Sequence, residues 1–359
     1  MAAPGSAPTS APAASETVLH RALSGGTLPR WAPWASALAA AVLAAALAAL
    51  TPVSGRAGTL LVGALLFVVI ETGWSFAVEG RRHAKDRLAT TLVYACFLVA
   101  VTPLVAILAS VVAEGSKVFT VPFLTHSMRN IDPRQSGGGV YHALIGTMEQ
   151  VGIAALLGVP IGILVAIYLV EYGRGGRLAR AISFFVDVMT GVPSIVAGLF
   201  VYTGLVLTLG FERSGFAGSL ALAILMIPVV VRSTEEMLKL VPNELRESSY
   251  ALGVPKYRTI LRVVVPTAIG GIITGAMLAI ARVAGETAPL LLTTFLSQSI
   301  NPNPFADPQA SIPTFVWDQI SQGTNASVAR AWAGALTLIL LVMGLNLLAR
   351  GIAHLNRAK

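Results

Sequence analysis

The chain has 359 residues, of which 55% are hydrophobic and only 12% charged, about half the charged share of an ordinary soluble domain. The apolar residues fall in runs that reach the roughly 20 residues a helix needs to cross a hydrocarbon core, which excludes a soluble globular fold and makes the expected class all-α and polytopic. The formal net charge of +8 then points to Lys and Arg held in cytoplasmic loops rather than to nucleic acid. The single cysteine, Cys96, lies in an apolar run and offers neither an internal disulfide nor a metal cluster.

In chain order, residues 1–30 are rich in Ala, Pro, Ser and Gly; they cannot bury a core and are expected to form a disordered cytoplasmic tail. Eight spans follow, at 33–51, 58–78, 88–112, 146–170, 186–210, 215–232, 263–296 and 329–350. The first is mostly alanine. A secretory leader is its competing reading, although a second span follows at once. Residues 31–84 form an additional N-terminal pair, and 85–355 the main membrane domain. Basic residues mark one side: Arg81, Arg82, Lys85 and Arg87 in loop 79–87; Arg174, Arg177 and Arg180 in loop 171–181; Arg246, Lys256, Arg258 and Arg262 after the sixth span; and Arg350, Arg357 and Lys359 in the tail. Eight spans put all four groups with the N-terminus in the cytoplasm. Segments 113–141 and 297–328 then face outward, the second as irregular surface. Two G-x-x-x-G pairs, Gly158/Gly162 and Gly271/Gly275, are candidate helix seams.

No phosphate-binding G-x-x-x-x-G-K-[ST], H-E-x-x-H, G-x-S-x-G or G-x-G-x-x-G occurs. If the protein moves a solute uphill, the energy is supplied elsewhere. The polar stretch NELRESSYALGVPKYRTILRVVVP (243–266) is as long as a span, yet charged. Asn243 is placed to cap a short helix over 244–252, Gly253 to end it in the left-handed conformation, and Pro255 to open the next. Leu245 and Leu252 are apolar on this helix, and Glu244, Arg246 and Glu247 charged. Two readings fit: an amphipathic helix resting on lipid headgroups, or a docking knob for a soluble partner.

Glu247-Ser248-Ser249, three residues, Gly253, nine residues, then Val263-x-Val265-Pro266 resembles the E-A-A-x3-G-x9-I-x-L-P loop of ABC-importer permeases, with small or apolar replacements. The resemblance implies a coupling loop (233–260) that docks on a separate ATPase, with Glu247, Ser248, Ser249, Ala251, Leu252, Gly253 and Pro266 as the coupling residues. Four further stretches (137–173, 191–202, 227–275 and AIARVAGETAPLLLT at 279–293) are similar to PstA-type permease subunits of bacterial phosphate importers over about 85–355. Residues 1–80 depart from the six-helix form of that family. The resemblance also implies a transport subunit in the bacterial inner membrane that is not itself an enzyme and binds no cofactor. Its implied partners are a PstC-like permease in a heterodimer, a PstB-like ATPase dimer holding ATP and Mg, and a PstS-like phosphate-binding protein outside, with alternating access and no nucleic acid.

An anion agrees with the physics. Driving a dianion into a negative-inside cell costs about 2.3 kcal/mol per charge per 100 mV, roughly 5 kcal/mol in all. Arg282 is read as the one basic residue deep in an apolar span, and Glu286 lies four positions on, on the same helical face. Either Arg282 faces the path and Glu286 holds or gates it, or the two neutralise each other and lock helices. Thr287 belongs with this group. Gly285 and Pro289 favour a helix break beside it. Gly191, Pro193 and Ser194 form a second candidate: Pro193 interrupts a span, as a gate or a harmless kink, and Ser194 can contact phosphate oxygens. Glu149 and Asp187 sit near span ends, where interfacial solvation accounts for them. Rival functions are the same machine for sulfate or molybdate, an ion-gradient symporter, which would want paired intramembrane carboxylates and a repeat, and a scaffold with no path.

Overall fold

The computed structural model describes residues 27–50, 56–173 and 175–357. Residues 1–26, most of the expected tail, lie outside them, as do Arg174 and Lys359; the side chains of Arg350 and Arg357 are likewise not described. Among the described residues the fold is helical without strands. Seven helices are long and apolar enough to cross a membrane, or eight if one bent pair counts as a span.

The chain forms two compact units, residues 1–107 and 108–359. The first contains α1 (Ala32–Leu50) and α2 (Arg56–Glu79), packed on each other, and the first part of α3 (Arg81–Gly115). The expected loop 79–87 is not a loop. Gly80 turns the chain at φ +85° and helix resumes at Arg81. The left-handed turn that glycine adopts without strain reverses direction in one residue, so the basic cluster begins a helix instead of separating two. The division at 107/108 falls within α3, whereas the sequence reading divides the chain at 84/85. Cys96 is exposed on α3.

The second unit is built around α8 (Gly215–Lys239). Its neighbours are α5 (Tyr141–Ile167, continued by a π-helical turn to Tyr172), α6 (Arg177–Thr190), α7 (Ser194–Val201, continued by a π-helical stretch to Thr208), and α11 (Val265–Ala284). Small residues make α8 the hub. Gly158 and Gly162 on α5 lie against Met226 and Val230 of α8, and Gly271 and Gly275 on α11 against Met237 and Ser233 of α8. A Cβ at Gly162 or Gly275 would come within 3 Å of Val230 or Ser233, and one at Gly158 or Gly271 would displace the Met226 or Met237 side chain, so both G-x-x-x-G pairs lie at seams. One apolar core joins Ala154, Met226, Val230, Ala279 and Leu290. A second, nearer the polar turn, joins Ala166, Val231, Leu238, Val264 and Ile272.

The other segments are α4 (Val121–Thr125), α9 (Asn243–Ala251), α10 (Lys256–Thr259, continued by a π-helical turn to Val264), α12 (Ala288–Thr293), α13 (Ile312–Ser321) and α14 (Asn325–Arg357). Segment 297–328 is not simply irregular surface. Gln309–Phe315 are buried, and Ser311 and Thr314 form a reciprocal capping box that starts α13. Arg330 of α14, 2% exposed, donates to the carbonyls of Pro133 and Gln135 and to Gln319 Oε1, and so clamps segment 126–139. A guanidinium satisfied by fixed carbonyls is a structural group.

Candidate functional site

The site starts from two interrupted helices. Span 186–210 is not continuous: α6 and α7 meet at 107° across Gly191–Pro193. Pro193 precedes α7 at φ −58°, ψ 139°, an extended setting that a helix cannot continue through. Span 263–296 is also broken. α11 ends at Ala284, residues 285–287 are non-helical, and Pro289 sits in the first turn of α12, where its missing N–H costs nothing. The two breaks face each other. A Cβ on Gly198 of α7 would lie 2.5 Å from Pro289 Cα, so only glycine allows this approach.

Between the breaks and α8 is a cavity of about 40 Å³, lined among others by Ser194, Pro228, Arg282 and Glu286. Pro228 falls near the middle of α8 and lacks the N–H that would bond the carbonyl of Ile224. The cavity lies beside the apolar part of α8 and holds only a few waters. It brings together three of the four path residues expected from the sequence. Thr287 does not line it; it occupies the position before α12 and makes no capping bond with its side chain. Arg282 and Glu286 form no ion pair with each other, and neither side chain has a hydrogen-bond partner among the described residues. Arg282 is exposed on the surface of the lone chain and Glu286 half-buried.

A second basic residue, Arg232, belongs to this region and is absent from the sequence-based set. It lies four residues, about one helical turn, beyond Pro228 on α8. It pairs with Asp187 of α6 and Glu235, and donates to the Ser183 carbonyl and hydroxyl at 2.9 and 2.8 Å. Arg282 is thus not the one basic residue within a span. The cue is present in the residues: Arg232, Glu235 and Lys239 stand at helical ion-pair spacing. Apolar length alone ends span 215–232 at Arg232, whereas α8 continues to Lys239. Solvation does not account for Asp187 alone, since Arg232 binds it, nor for Glu149, which accepts from Gln309 Nε2.

The polar turn forms a second candidate surface. α9 runs Asn243–Ala251, with Pro242 rather than Asn243 at its cap and no side-chain capping bond. Gly253 is left-handed at φ +74°, and Pro255 precedes α10 instead of entering it. Residues 233–239 belong to α8, so the turn begins at Leu240. Glu247, Ser248, Ala251, Leu252 and Gly253 are exposed, as is Pro266 at the start of α11. Ser249 is turned inward, its hydroxyl 2.9 Å from that of Thr259. Beneath, Arg246 donates to Glu171 Oε1 from Nη2 at 2.8 Å and to the Val241 and Leu238 carbonyls, while Lys256 bonds the Glu171 carbonyl and lies over the Tyr172 ring. The Glu171 carboxylate is 5% exposed. The basic residues that look like docking charges are partly used to fasten the turn to the end of α5.

Comparison with known proteins decides the family. Residues 158–357 match the model of the binding-protein-dependent transport system inner membrane component. The "phosphate transport system permease protein PstA 1" of Mycobacterium tuberculosis H37Rv is 52% identical over 270 residues, which cover 75% of this chain and 87% of that protein. The chain belongs to the PstA permease family. The PstA permeases of Mycobacterium leprae and Yersinia pestis are 50% and 42% identical over 75% and 76% of the chain, covering 89% and 90% of their own lengths. A solved relative in fold, a bacterial ABC transporter involved in the import of the acidic polysaccharide alginate, superposes with a TM-score of 0.52 at 16% identity, covering 76% of this chain and 99% of that one; this likeness concerns the fold alone. As a PstA-family member the chain is a multi-pass membrane component of a bacterial ABC transport system, and no enzymatic role is expected of it.

Proposed function

We propose that the chain is the phosphate-conducting permease subunit of an ATP-driven importer, with Arg282, Glu286 and Ser194 lining the path and the turn at 240–264 receiving the ATPase. The observation that carries this reading is the unpaired Arg282 beside facing helix breaks. A guanidinium within a membrane span without a protein counter-ion is costly unless it meets water, substrate or another subunit. Non-helical backbone is tolerated there only where it is covered by protein or lines a cavity. Both conditions hold if a second, PstC-like permease covers the exposed side of Arg282 and the path runs between the two subunits. The names of the relatives favour phosphate over sulfate or molybdate.

In this reading the cavity is the closed form of the path, since about 40 Å³ is too little for a hydrated phosphate. Closure of a PstB-like ATPase dimer, which holds ATP and Mg, moves α9, and the Arg246–Glu171 fastening passes that motion to α5. α5 packs on α8, and α8 borders the cavity. A PstS-like protein delivers phosphate from outside; Arg282 and Ser194 receive it, and Glu286 repels it onward. Both termini lie in the cytoplasm.

The test is ATP-dependent phosphate uptake into vesicles holding the whole complex. Arg282→Ala should impair uptake while the ATPase still docks. Gly253→Asp, which places a side chain at a left-handed position of the turn, should abolish coupling. Normal uptake by both variants overturns the assignment.

A further inference from the structure

The N-terminal unit contains a polar knot that the transport reading does not use. Arg87 donates to Glu79 from Nε and Nη2 at 2.6 and 2.9 Å, and to Glu71 Oε1 from Nη1 at 3.0 Å. The Ser75 hydroxyl and the Leu28 N–H, each at 2.7 Å, complete Glu79. Glu71 is left incomplete. It is 3% exposed, and its Oε2 is buried without a hydrogen-bond partner among the described residues. One guanidinium serves two carboxyl groups, and a buried carboxyl oxygen left without a donor is unfavourable until a ligand supplies one.

The knot borders a cavity of about 720 Å³ between α2 and α3, within the size range of sites that enclose small molecules. Its rim carries a further carboxylate, Asp86, and its far wall is apolar, with Phe67, Val68, Leu98 and Val99. On the first turns of α3 the lining residues are His83, Asp86 and Arg87, whereas Arg81, Arg82 and Lys85 are exposed at the same end of the helix and do not line the cavity. A ligand complementary to this lining has a hydrogen-bond-donating cation and an apolar chain, as a membrane lipid with a primary-amine headgroup does.

We propose that the trough binds an aminophospholipid. Its primary ammonium donates to Glu71 and Asp86, and an acyl chain lies along Phe67 and Leu98. A choline headgroup has no N–H to give Glu71, and a glycerol headgroup has no positive charge, so the site discriminates by headgroup. The inference is independent of what the second unit transports.

The full chain is purified in detergent, offered equal amounts of phosphatidylethanolamine, phosphatidylcholine and phosphatidylglycerol, and read by native mass spectrometry. Wild type should retain phosphatidylethanolamine about tenfold over the other two, the factor expected for one charged hydrogen bond. Glu71→Gln combined with Asp86→Asn should bring the three lipids to parity. Leu98→Trp, which fills the trough and leaves the charges in place, should lose the bound lipid, whereas Leu60→Ala, at an exposed position of α2 outside the trough, should retain it. Equal retention of the three lipids by wild type overturns the proposal. So does an undiminished preference in the double variant or, should that variant fail to fold, in Leu98→Trp.

Discussion

The helix-break cavity and the polar turn are both rich in charged residues, and they use them in opposite ways. In the turn, Arg246 and Lys256 are bonded to Glu171 below the surface, while Leu240, Leu245, Leu252 and Tyr257 are exposed above it. At the cavity the apolar groups are packed inside, Pro289 against Gly198, and the charges of Arg282 and Glu286 are left without protein partners. The turn has a polar frame and an apolar face; the cavity has an apolar frame and a polar face. A surface that must grip another protein gains most from exposed apolar area on a stiff support. A site that must hold and release an anion needs charge that is not already neutralised by its own fold.

The contrast breaks most readily at Arg282. Arg282→Ala should lower phosphate uptake at least about thirtyfold, the loss expected when a charged partner worth about 2 kcal/mol or more is removed. ATPase docking and the thermal stability of the subunit should hardly change, because the Arg282 side chain makes no bond to any described residue. A large loss of stability would show that Arg282 belongs to the frame. Arg246→Ala is the converse. It strands the Glu171 carboxylate, 5% exposed, and should cost about 3 kcal/mol of stability, measured by thermal unfolding in detergent. Uptake should fall with it through loss of coupling, and Arg246→Lys, which keeps the charge but not the fork, should restore only part.

Leu252→Asp tests the apolar face directly. Leu252 is 83% exposed, so the substitution should leave the subunit as stable as wild type. Affinity for the ATPase should fall about tenfold, as for loss of a buried aliphatic anchor, measured by binding of the purified ATPase to the reconstituted permease. Unchanged affinity would place the docking surface elsewhere.

Much of this is legible in the residues because the controlling physics is local. Spans follow from apolar runs, the turn from Pro242, Gly253 and Pro255, and the breaks from Pro193 and Pro289. The rest depends on tertiary partners. Nothing local says that Pro193 bends the chain by 107° rather than slightly, or that the two breaks meet through Gly198 and Pro289. Arg282 and Arg232 both stand within apolar helices; Asp187, which binds Arg232, lies 45 residues away on another helix, so only the fold separates the paired arginine from the free one. The Glu71–Arg87–Glu79 knot is hidden for a related reason. In the sequence Arg87 stands among loop charges, and only the single-residue turn at Gly80 brings it back against α2.

The smallest expected effect concerns Ser249, which stands where the coupling-loop pattern has alanine. Its hydroxyl meets that of Thr259, and both residues are buried. The bond ties α9 to α10 across Gly253, so Ser249 acts on the frame of the turn and not on its face. Ser249→Ala removes one neutral hydrogen bond and leaves the Thr259 hydroxyl within 3.5 Å of the Pro255 carbonyl, which limits the cost to about 1 kcal/mol. Because alanine suits a helix interior better than serine, α9 recovers part of that loss. ATPase affinity and phosphate uptake should therefore stay within about twofold of wild type, read in the same binding and uptake assays. A loss as large as that of Leu252→Asp would mean that Ser249 turns outward to meet the ATPase when the complex forms, and that the division between frame and face in the turn does not survive docking.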